Sequence, residues 1–385
     1  MSMGGLTKGV VVTTLIAIAA VIIITTYLTS NFYVLPEQST VSEYSIVDIL
    51  GRNVTLPKNV TRVVAIGPGV LRLVCYLKAY DLLVGVEESE IRWGPVGRDY
   101  AMALNQVLTN LPVIGPGGPG KPPAPELILT VKPDLIIMSR VYAEMYDPDR
   151  LQKETNSTVI VVDYGPAGQL DLEALTNALR ILGKALNRGE RAEELIRFIE
   201  SIRSDLEIRT KGISSRPKVY VGAISYKGPQ PFTTSQTAFP PLTLLHTPSI
   251  VDRISNQSGV LFLDFEVILK EQPDVVFIDL NNLNTVKQDF DKDPLKYLHL
   301  SAFKSGRVYG ILPYNYYHTN IAVALADAYY MGKVLYPDRF ADIDPVVKAD
   351  EIFNVFLGKS LYHYYAEYYG GFRNLSEFFG VRTSG

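Results

Sequence analysis

The sequence predicts an α/β fold made of two similar lobes, because one pattern of residues occurs twice along the chain. Residues 126–137 begin with a glutamate, continue as a short apolar segment, and reach a Pro-Asp pair and an aliphatic run; residues 266–277 repeat this order. A glutamate suits the first turn of a helix, and a residue before proline disfavours helical geometry, so each apolar segment is predicted to be a short helix. The aliphatic runs, residues 135–138 and 275–278, do not alternate with polar residues, which is typical of strands buried in a parallel sheet.

The composition is typical of a packed globular protein that is long enough for two domains. Of the 385 residues, 47% are hydrophobic and 20% are charged, and the formal net charge is −3. A nearly neutral chain without a basic block argues against nucleic acid as a partner. The single cysteine, Cys75, lies in an apolar run and is predicted to be buried, and its count excludes a disulfide framework or a thiolate metal site.

The N-terminal residues 1–29 are predicted to form a signal or a transmembrane anchor. Residues 10–28 carry no charge, and as one helix they would extend roughly 28 Å, about the thickness of the hydrocarbon core of a bilayer. Lys8 is the only basic residue before this span, so the short tail is predicted to be cytoplasmic and the bulk of the chain extracytoplasmic. Lys8 and Gly9 also resemble the start of a pilin-type archaeal signal that is cleaved after the glycine; a buried helix is the alternative interpretation. Sequons compatible with an exported glycoprotein occur at Asn53, Asn59, Asn156, Asn256 and Asn374.

A polar tether, residues 30–42, is predicted to lead into an N-terminal α/β lobe, residues 43–187. After a hairpin with its turn at Gly51, this lobe alternates apolar strands with helical segments, which predicts a parallel sheet covered by helices. Residues 87–110, which include the only tryptophan, are expected to be irregular, and the glycine- and proline-rich residues 115–125 are interpreted as a plain loop. The predicted strands of the lobe are residues 63–66, 82–86, 135–139 and 158–163.

Leucines at helical spacing predict a helix over residues 171–187, and a second helix over residues 190–211 could extend roughly 33 Å. Because this length matches the size of a domain, residues 188–212 are predicted to connect the two lobes as one long helix. The C-terminal lobe, residues 213–338, repeats the alternation of strands and helices. The tyrosine-rich tail, residues 339–385, is predicted to be helical and to pack on the second lobe; a surface for a partner or a ligand is the alternative.

The motifs of common enzyme and nucleotide sites do not occur in the sequence, so the protein is predicted not to be an enzyme and to hold no cofactor. There is no Gly-x-Ser-x-Gly elbow, no His-Glu-x-x-His and no phosphate loop that ends in Gly-Lys-Ser/Thr. Gly67 and Gly69 follow a predicted strand, but Arg72 stands where a dinucleotide fingerprint needs its third glycine. The four histidines are widely separated, which does not favour a site for a bare metal ion.

A ligand site is predicted at the carboxyl ends of the strands, where open parallel sheets bind their ligands. Aromatic and basic side chains gather in the segments that follow these strand ends, in both lobes. Rings with a few cations suit a large, partly apolar, anionic ligand held between facing lobes. Tyr164, Asn281 and Tyr314 also follow strand ends. The predicted ligand-binding residues are Trp93, Arg98, Tyr100, Arg140, Tyr142, Tyr226, Lys227, Tyr316, Tyr317 and His318.

Several short motifs of the chain match one family when they are taken together. The first runs from Asp48 through Gly51-Arg52, Val54 and Leu56-Pro57 to Arg62-Val63-Val64. The two Glu…Pro-Asp units are the second, and residues 325–337 are the third. These motifs resemble the solute-binding proteins of ABC importers for iron–siderophore, haem and cobalamin complexes, and the third is similar to the closing helix of an archaeal branch. The resemblance covers residues 44–380.

The resemblance implies two lobes that are joined by one long helix and have limited hinge motion. It implies an ABC permease dimer with its ATPase as partner, and a transported iron or cobalt chelate as ligand. In the family one surface glutamate of each lobe docks on arginines of the permease, and Glu126 and Glu266 occupy those motif positions here. Together with the predicted anchor at residues 10–28, this places the protein at the cell surface, tethered to the plasma membrane.

Two other kinds of function are compatible with the residues. A free metal ion or an oxyanion, molybdate or tungstate, is the alternative ligand for a binding protein. An extracellular α/β enzyme or a sensor ectodomain is a further alternative. The enzyme is disfavoured because the sequence shows no nucleophile–base pair, and the sensor because few residues precede the predicted span.

Overall fold

The computed structural model describes residues 44–381, and the predicted span at residues 10–28 lies outside this range. Within the described range, no helix is both long enough and apolar enough to cross a membrane. The described chain contains two four-stranded sheets, one from each half of the sequence. The prediction of an α/β fold with parallel sheets is therefore confirmed.

An antiparallel hairpin precedes the first sheet and is formed by β1 (Ser45–Val47) and β2 (Asn53–Thr55), with Gly51 in its turn at a φ of 76°. The first sheet is wholly parallel, with the order β4-β3-β5-β6. Every residue of β3 and β5 is buried, because apolar side chains pack on both faces of the sheet. The strands of this sheet are β3 (Val63–Ile66), β4 (Leu83–Gly85), β5 (Leu135–Ser139) and β6 (Thr158–Val162).

The expectation of an irregular segment at residues 87–110 was wrong, because this segment contains two helices, α2 (Glu88–Arg92) and α3 (Asp99–Leu108). Helix α3 buries Tyr100, Leu104 and Leu108 on one side, so tertiary packing stabilises a helix that is short and weakly patterned. The helices of the first lobe are α1 (Val70–Tyr76), α2 (Glu88–Arg92), α3 (Asp99–Leu108), α4 (Pro125–Thr130), α5 (Arg140–Ala143), α6 (Pro148–Thr155) and α7 (Leu172–Ala185).

Helix α8 (Gly189–Thr210) follows the first lobe and has 22 residues, within one residue of the predicted helix at each end. It buries Leu195, Ile199 and Leu206 in the core that contains residues of both sheets. Arg209 near its C-terminus pairs with an aspartate of the same helix at 2.9 Å and with Asp342 of the tail at 2.7 Å. These contacts hold one side of the helix in the core and its C-terminal end against the tail.

The second sheet has the order β12-β11-β10-β7, parallel except for β12, which runs antiparallel to β11. A separate antiparallel ribbon is formed by β8 (Thr234–Gln236) and β9 (Val260–Phe262). The strands of the second half are β7 (Val219–Gly222), β8 (Thr234–Gln236), β9 (Val260–Phe262), β10 (Val275–Asp279), β11 (Val308–Ile311) and β12 (Arg373–Asn374).

Among the helices of the second lobe, α15 (Ile321–Leu335) is the most deeply buried, and nearly all of its residues are inaccessible to solvent. Its central position explains why a run of alanine, leucine and tyrosine is tolerated there without a polar face. The helices are α9 (Pro240–Leu244), α10 (Val251–Ile254), α11 (Phe265–Glu271), α12 (Leu283–Lys292), α13 (Pro294–Leu298), α14 (Ser301–Lys304) and α15 (Ile321–Leu335).

The tail forms α16 (Pro345–Leu357), α17 (Tyr362–Tyr369) and the edge strand β12. Helix α16 packs mainly on α15 of the second lobe. The tail also contacts the first lobe: the ring of Phe356 lies 4.7 Å from that of Tyr76, and Lys359 Nζ donates to the carbonyl oxygen of Ala103. The tail therefore bridges the lobes, in addition to the predicted contact with the second one.

The two Glu…Pro-Asp units occupy equivalent positions in the two sheets. Glu126 lies in the first turn of α4 before β5, and Glu266 lies in the first turn of α11 before β10. The aspartate of each unit accepts a hydrogen bond from the N–H of the residue before the neighbouring strand. The distance is 2.9 Å from Asp134 Oδ2 to the residue before β3, and 2.8 Å from Asp274 Oδ2 to the residue before β7. Each unit therefore joins a central strand to its neighbour.

Candidate functional site

Side chains from both lobes meet where the loops after the strand ends contact each other. Trp93 stacks on Tyr316 with ring centroids 6.2 Å apart, and it meets the edge of Tyr317 at 4.9 Å. Tyr164 packs on His318 with ring centroids 4.1 Å apart. The first residue of each pair belongs to the first lobe and the second to the segment between β11 and α15. We call the following side chains the inter-lobe cluster: Trp93, Arg98, Tyr100, Tyr142, Tyr164, Tyr316, Tyr317 and His318.

Arg72 joins the two lobes beneath this cluster and is wholly buried. Its Nε lies 3.1 Å from Asp99 Oδ1, and its Nη1 donates to the Tyr164 hydroxyl at 2.9 Å. Its Nη2 donates to Asn320 Oδ1 at 2.7 Å and to the carbonyl oxygen of Tyr316 at 3.0 Å. One guanidinium therefore holds two first-lobe side chains and two second-lobe acceptors in a fixed arrangement.

Arg98, a predicted ligand-binding residue, is buried and paired within its own lobe. Its guanidinium contacts the carboxylate of Glu90 and lies 3.3 Å from the Tyr100 hydroxyl. Burial raises the pKa of Glu90, although the arginine favours its charged form. The guanidinium also lies 6.0 Å from the ring centre of Trp93 and 5.8 Å from that of Tyr316. Its charge is therefore balanced by a carboxylate, and its flat face supports the rings.

Glu87 connects the lobes through a hydrogen bond to the second lobe. Its Oε2 accepts from the N–H of Gly67 at 2.8 Å and from the Tyr317 hydroxyl at 3.2 Å. The same hydroxyl accepts from the N–H of Gly118 at 3.1 Å. Burial is the main reason that the pKa of Glu87 rises to about 7, against the opposing effect of these hydrogen bonds. The carboxyl group is therefore partly protonated near neutral pH.

This raised pKa predicts how stability depends on pH. The folded state holds the Glu87 proton up to about pH 7, whereas the same carboxyl group in the unfolded chain releases it near pH 4.5. The free energy of unfolding therefore falls as pH rises through this window. The Glu87→Gln variant, which cannot ionise, should gain up to about 3 kcal/mol over the wild type between pH 4.5 and pH 8. Urea unfolding at several pH values measures this difference. The exposed neighbour provides the control: Glu88→Gln should show a flat difference, and a flat difference for Glu87→Gln would contradict the prediction.

His318 is buried in the cluster as a neutral imidazole. Burial, assisted by the charge of Arg72, lowers its pKa to about 3. Its Nδ1 accepts from the N–H of Thr319 at 3.0 Å, which fixes the ring on the face of Tyr164. Both Tyr317 and His318 have a positive φ, 52° and 91°. A left-handed backbone at two consecutive non-glycine residues costs of order 1–3 kcal/mol each and marks functional segments.

Three predicted ligand-binding residues have their contacts outside the inter-lobe cluster. Arg140 is exposed and donates to Glu144 at 3.3 Å, with a second carboxylate, Asp163, at 3.9 Å. Tyr226 is 37% exposed, and Lys227 Nζ lies 5.3 Å from its ring centre. These residues follow strand ends as predicted, but they lie at the solvent-facing side of those loops.

The glycine-rich loop that was interpreted as plain lies against the cluster. Gly117 and Gly118 have φ values of 60° and 92°. A Cβ on Gly117 would lie 2.3 Å from Ser89 Oγ and 2.6 Å from Glu87 Cβ, and a Cβ on Gly118 would lie 3.1 Å from the Trp93 ring. Only glycine permits this close approach and this backbone conformation. In the sequence, the feature that could have indicated this close contact is the pair of consecutive glycines between two prolines.

Sequence reasoning also missed the buried charges that organise the cluster. Arg72 is the single charged residue of helix α1, which is otherwise apolar or aromatic. Asn320 is the residue immediately before the buried helix α15. Glu87, Glu90 and Asp99 stand after β4 in the segment that was expected to be irregular. In the sequence, a charged residue in an apolar helix could have indicated these buried pairs, because a charge that is buried requires a partner.

Within residues 44–381, no group of three or more histidine, cysteine, aspartate or glutamate side chains is arranged to hold a metal ion. The inter-lobe cluster brings aromatic rings, hydroxyls and paired charges of both lobes into contact. The docking candidates lie elsewhere: Glu126 and Glu266 are both exposed at the first turns of their helices.

A family model described as "Periplasmic binding protein" matches residues 63–314, which is more than half of the chain. The chain belongs to the periplasmic binding protein family. The molybdate-binding protein MolA of Haemophilus influenzae is 22% identical to it over 355 residues, covering 86% of this chain and 92% of MolA.

Solved structures show the same fold. A periplasmic solute-binding protein from Veillonella parvula has a TM-score of 0.65 at 18% identity, covering 84% of this chain and 96% of that one. MolA bound to molybdate has a TM-score of 0.63 at 19% identity, covering 82% and 98% of the two chains. The haem-binding protein HutB of Vibrio cholerae has a TM-score of 0.52 at 18% identity, covering 72% and 99%.

This membership confirms the predicted family: the protein is an extracytoplasmic solute-binding protein of an ABC transporter. Members of the periplasmic binding protein family bind solutes, which agrees with the prediction that the protein is not an enzyme. The archaeal branch stays a prediction, as do the membrane anchor at residues 10–28 and the glycosylation of the sequons.

Proposed function

We propose that this periplasmic binding protein captures an iron or cobalt complex between its lobes and delivers it to an ABC permease. The observation that carries the proposal is the meeting of Trp93 with Tyr316 and Tyr317 across the two lobes. Aromatic side chains offer large contact areas with few rotatable bonds, which suits the surface of an organic chelate. The haem-binding relative HutB shares the fold and supports a ligand of this size class.

An oxyanion such as molybdate is the second candidate, because the relative MolA is a molybdate-binding protein that aligns over most of both chains. A tetrahedral anion is held by several hydrogen-bond donors or by a positive charge. In the inter-lobe cluster, however, the guanidinium of Arg98 is paired with Glu90, and that of Arg72 is paired with Asp99. The charges of the cluster therefore favour a chelate over a small oxyanion.

Ligand binding should be visible in the fluorescence of Trp93, which is the only tryptophan of the chain. We expect haemin, ferrichrome or cyanocobalamin to quench its emission with a dissociation constant below about 10 μM, or about 7 kcal/mol. Molybdate and tungstate serve as the competing ligands in the same titration. The Trp93→Phe variant is the control: it should lose the optical signal, while calorimetry still detects the ligand. Failure of every complex to bind at this concentration would refute the chelate proposal, and tight binding of molybdate alone would replace it with the oxyanion function.

We also propose that residues 10–28 anchor the protein to the plasma membrane and that Glu126 and Glu266 dock on the permease. The anchor is supported by the uncharged composition of the span. The docking is supported by the equivalent positions of the two exposed carboxylates in the two sheets.

A further inference from the structure

The charges around the inter-lobe cluster leave one carboxyl group without a cationic partner. Arg72 pairs with Asp99, and Arg98 pairs with Glu90, with all four side chains buried. Glu87, the remaining acid, accepts hydrogen bonds from a backbone N–H and a tyrosine hydroxyl and forms no ion pair with any residue in the range 44–381. A buried carboxylate is costly unless a positive charge or several donors compensate it.

Two further oxygens of the same region are buried and lack a partner within the described part of the chain. Ser89 Oγ makes no hydrogen bond, and the Tyr142 hydroxyl, which faces Glu87, makes none of good geometry. Both side chains have an exposure of 0%. The backbone of Gly117 approaches both Ser89 and Glu87, so the loop closes around the same group of atoms. Each of these hydroxyls can accept a hydrogen bond as well as donate one, so the N–H group of a ligand could serve as a partner.

Aromatic rings stand beside these oxygens. Tyr142 faces Glu87, and Tyr317 donates to it from the second lobe. Trp93 meets the edge of Tyr317 at 4.9 Å and lies against Gly118. Ring faces attract cations, so rings and a carboxylate act on a positive charge in the same direction.

We infer that Glu87 determines the specificity of the site by receiving a positively charged, hydrogen-bond-donating part of the ligand, of the kind that an ammine or a protonated amine presents. The inference rests on the proposed function, because the ligand has to enter between the lobes. The N–H groups of such a ligand donate to the Glu87 carboxylate and to the oxygens of Ser89 and Tyr142. An anionic group in this place would face a like charge, and both arginines nearby already form ion pairs with carboxylates.

Binding of a cation beside Glu87 should release a proton. The groups that face this carboxyl are the N–H of Gly67, the hydroxyls of Tyr142 and Tyr317, and the carboxylate of Glu90. The first three favour the ionised form, and Glu90 together with burial favours the protonated form, so that the pKa is about 7. A bound cation shifts the balance to the carboxylate, and the proton passes to the buffer.

Two cobalt complexes of equal geometry and opposite charge test the inference. Hexaamminecobalt(III) is a cation that carries N–H donors, and hexacyanocobaltate(III) is an anion that carries only acceptors. We expect the wild-type protein to bind the cation at least ten-fold more tightly at pH 7, with quenching of Trp93. Calorimetry in two buffers of different ionisation enthalpy should show the released proton.

Matched variants separate Glu87 from the general attraction of a trivalent cation to carboxylates. The Glu87→Gln variant should lose at least ten-fold in affinity for hexaamminecobalt(III) and should lose the proton release. Glu88→Gln removes the same charge from the adjacent exposed position and should behave as the wild type. The Ser89→Ala variant should bind the cation more weakly while it unfolds at the same or a higher temperature, because its hydroxyl has no partner within residues 44–381. If the role of Ser89 were purely structural, the Ser89→Ala substitution would lower both the affinity for the cation and the unfolding temperature.

Equal affinity of the wild type and Glu87→Gln for the cation would overturn the inference, as would a preference for hexacyanocobaltate(III). These outcomes are distinct from a failure of the proposed function. If an anionic chelate quenches Trp93 and neither cobalt cation binding nor proton release depends on Glu87, the transport function stands and the specificity inference falls. If no complex of either charge binds, the proposed function falls first.

Discussion

Replacement of Asp99 by asparagine is expected to lower the free energy of unfolding by about 3–5 kcal/mol, because it leaves Arg72 charged inside the protein without a counter-charge. Asp99 Oδ1 lies 3.1 Å from Arg72 Nε, and neither side chain is exposed. Asp99 Oδ2 accepts from the Tyr76 hydroxyl. Asparagine keeps the size and one carbonyl oxygen of the aspartate, so the substitution tests the charge more than the packing. Urea unfolding at neutral pH measures the effect.

An exposed ion pair of the same chain is the control for this substitution. Arg180 and Glu193 are 2.8 Å apart, with side-chain exposures of 56% and 43%. Glu193→Gln should leave the urea midpoint nearly unchanged, because solvent screens the pair. A cost for Asp99→Asn as small as that of Glu193→Gln would show that water or another group compensates Arg72. The double variant Arg72→Met with Asp99→Asn should be less destabilised than the sum of its single variants, because no charge is then left unpaired.

The role of Arg72 also explains which part of the site could be predicted. Rings that follow strand ends were predictable, since parallel sheets place their ligands there, and Trp93 and Tyr317 do meet. The buried charge of Arg72 below the rings was not predictable, because it is held partly by residues that are distant in sequence. Arg72 contacts Asn320, which is 248 residues away. Sequence spacing carries no information on such a pair.

The repeated units show why the framework was more accessible than the details. A helix that ends before Pro-Asp and a β-branched strand are local properties, so β5 and β10 follow from short stretches of sequence. Helix α3 depends on packing instead, with Leu104 in a non-helical conformation inside it. The ribbon of β8 and β9 pairs residues across an intervening segment with two helices. Local sequence patterns do not identify structures that depend on such tertiary contacts.

The Gly117-Gly118 loop is an example of a pattern whose meaning depends on what approaches it. Consecutive glycines predict a flexible turn as readily as a close contact. Here Ser89 and Trp93 occupy the space that side chains would need. The loop could be assigned to the site only when its neighbours were known.

Reversal of both docking charges, Glu126→Lys with Glu266→Lys, is expected to abolish transport while the affinity for the ligand stays unchanged. The two carboxylates lie at the first turns of α4 and α11, each before the corresponding strand of its sheet. Neither makes an ion pair with another residue of the range 44–381, and both are exposed. They are therefore available to basic residues of a partner, and charge complementarity fixes the orientation of such a complex.

Exposed apolar residues accompany the first carboxylate. Leu127 is 40% exposed and Leu129 is 47% exposed, on the same short helix as Glu126. Apolar side chains beside a charge are typical of an interface whose centre is desolvated by the partner. The two carboxylates should therefore act together, with each single reversal giving a partial loss.

The control for the double reversal should change the same charge at the same kind of position. Glu173 and Glu190 are exposed and lie in the first turns of α7 and α8. Reversal of both glutamates changes the net charge by the same amount as the reversal of Glu126 and Glu266. Each reversal also replaces a favourable charge at a helix N-terminus, which should lower the free energy of unfolding by about 0.3–1 kcal/mol. Uptake of the ligand by cells that carry the cognate permease, together with Trp93 titration, measures transport and affinity separately. Transport should fail only in the Glu126 and Glu266 variant. A parallel loss of affinity would place these carboxylates in the fold or the ligand site, and an equal loss in the control would show that only the total charge matters.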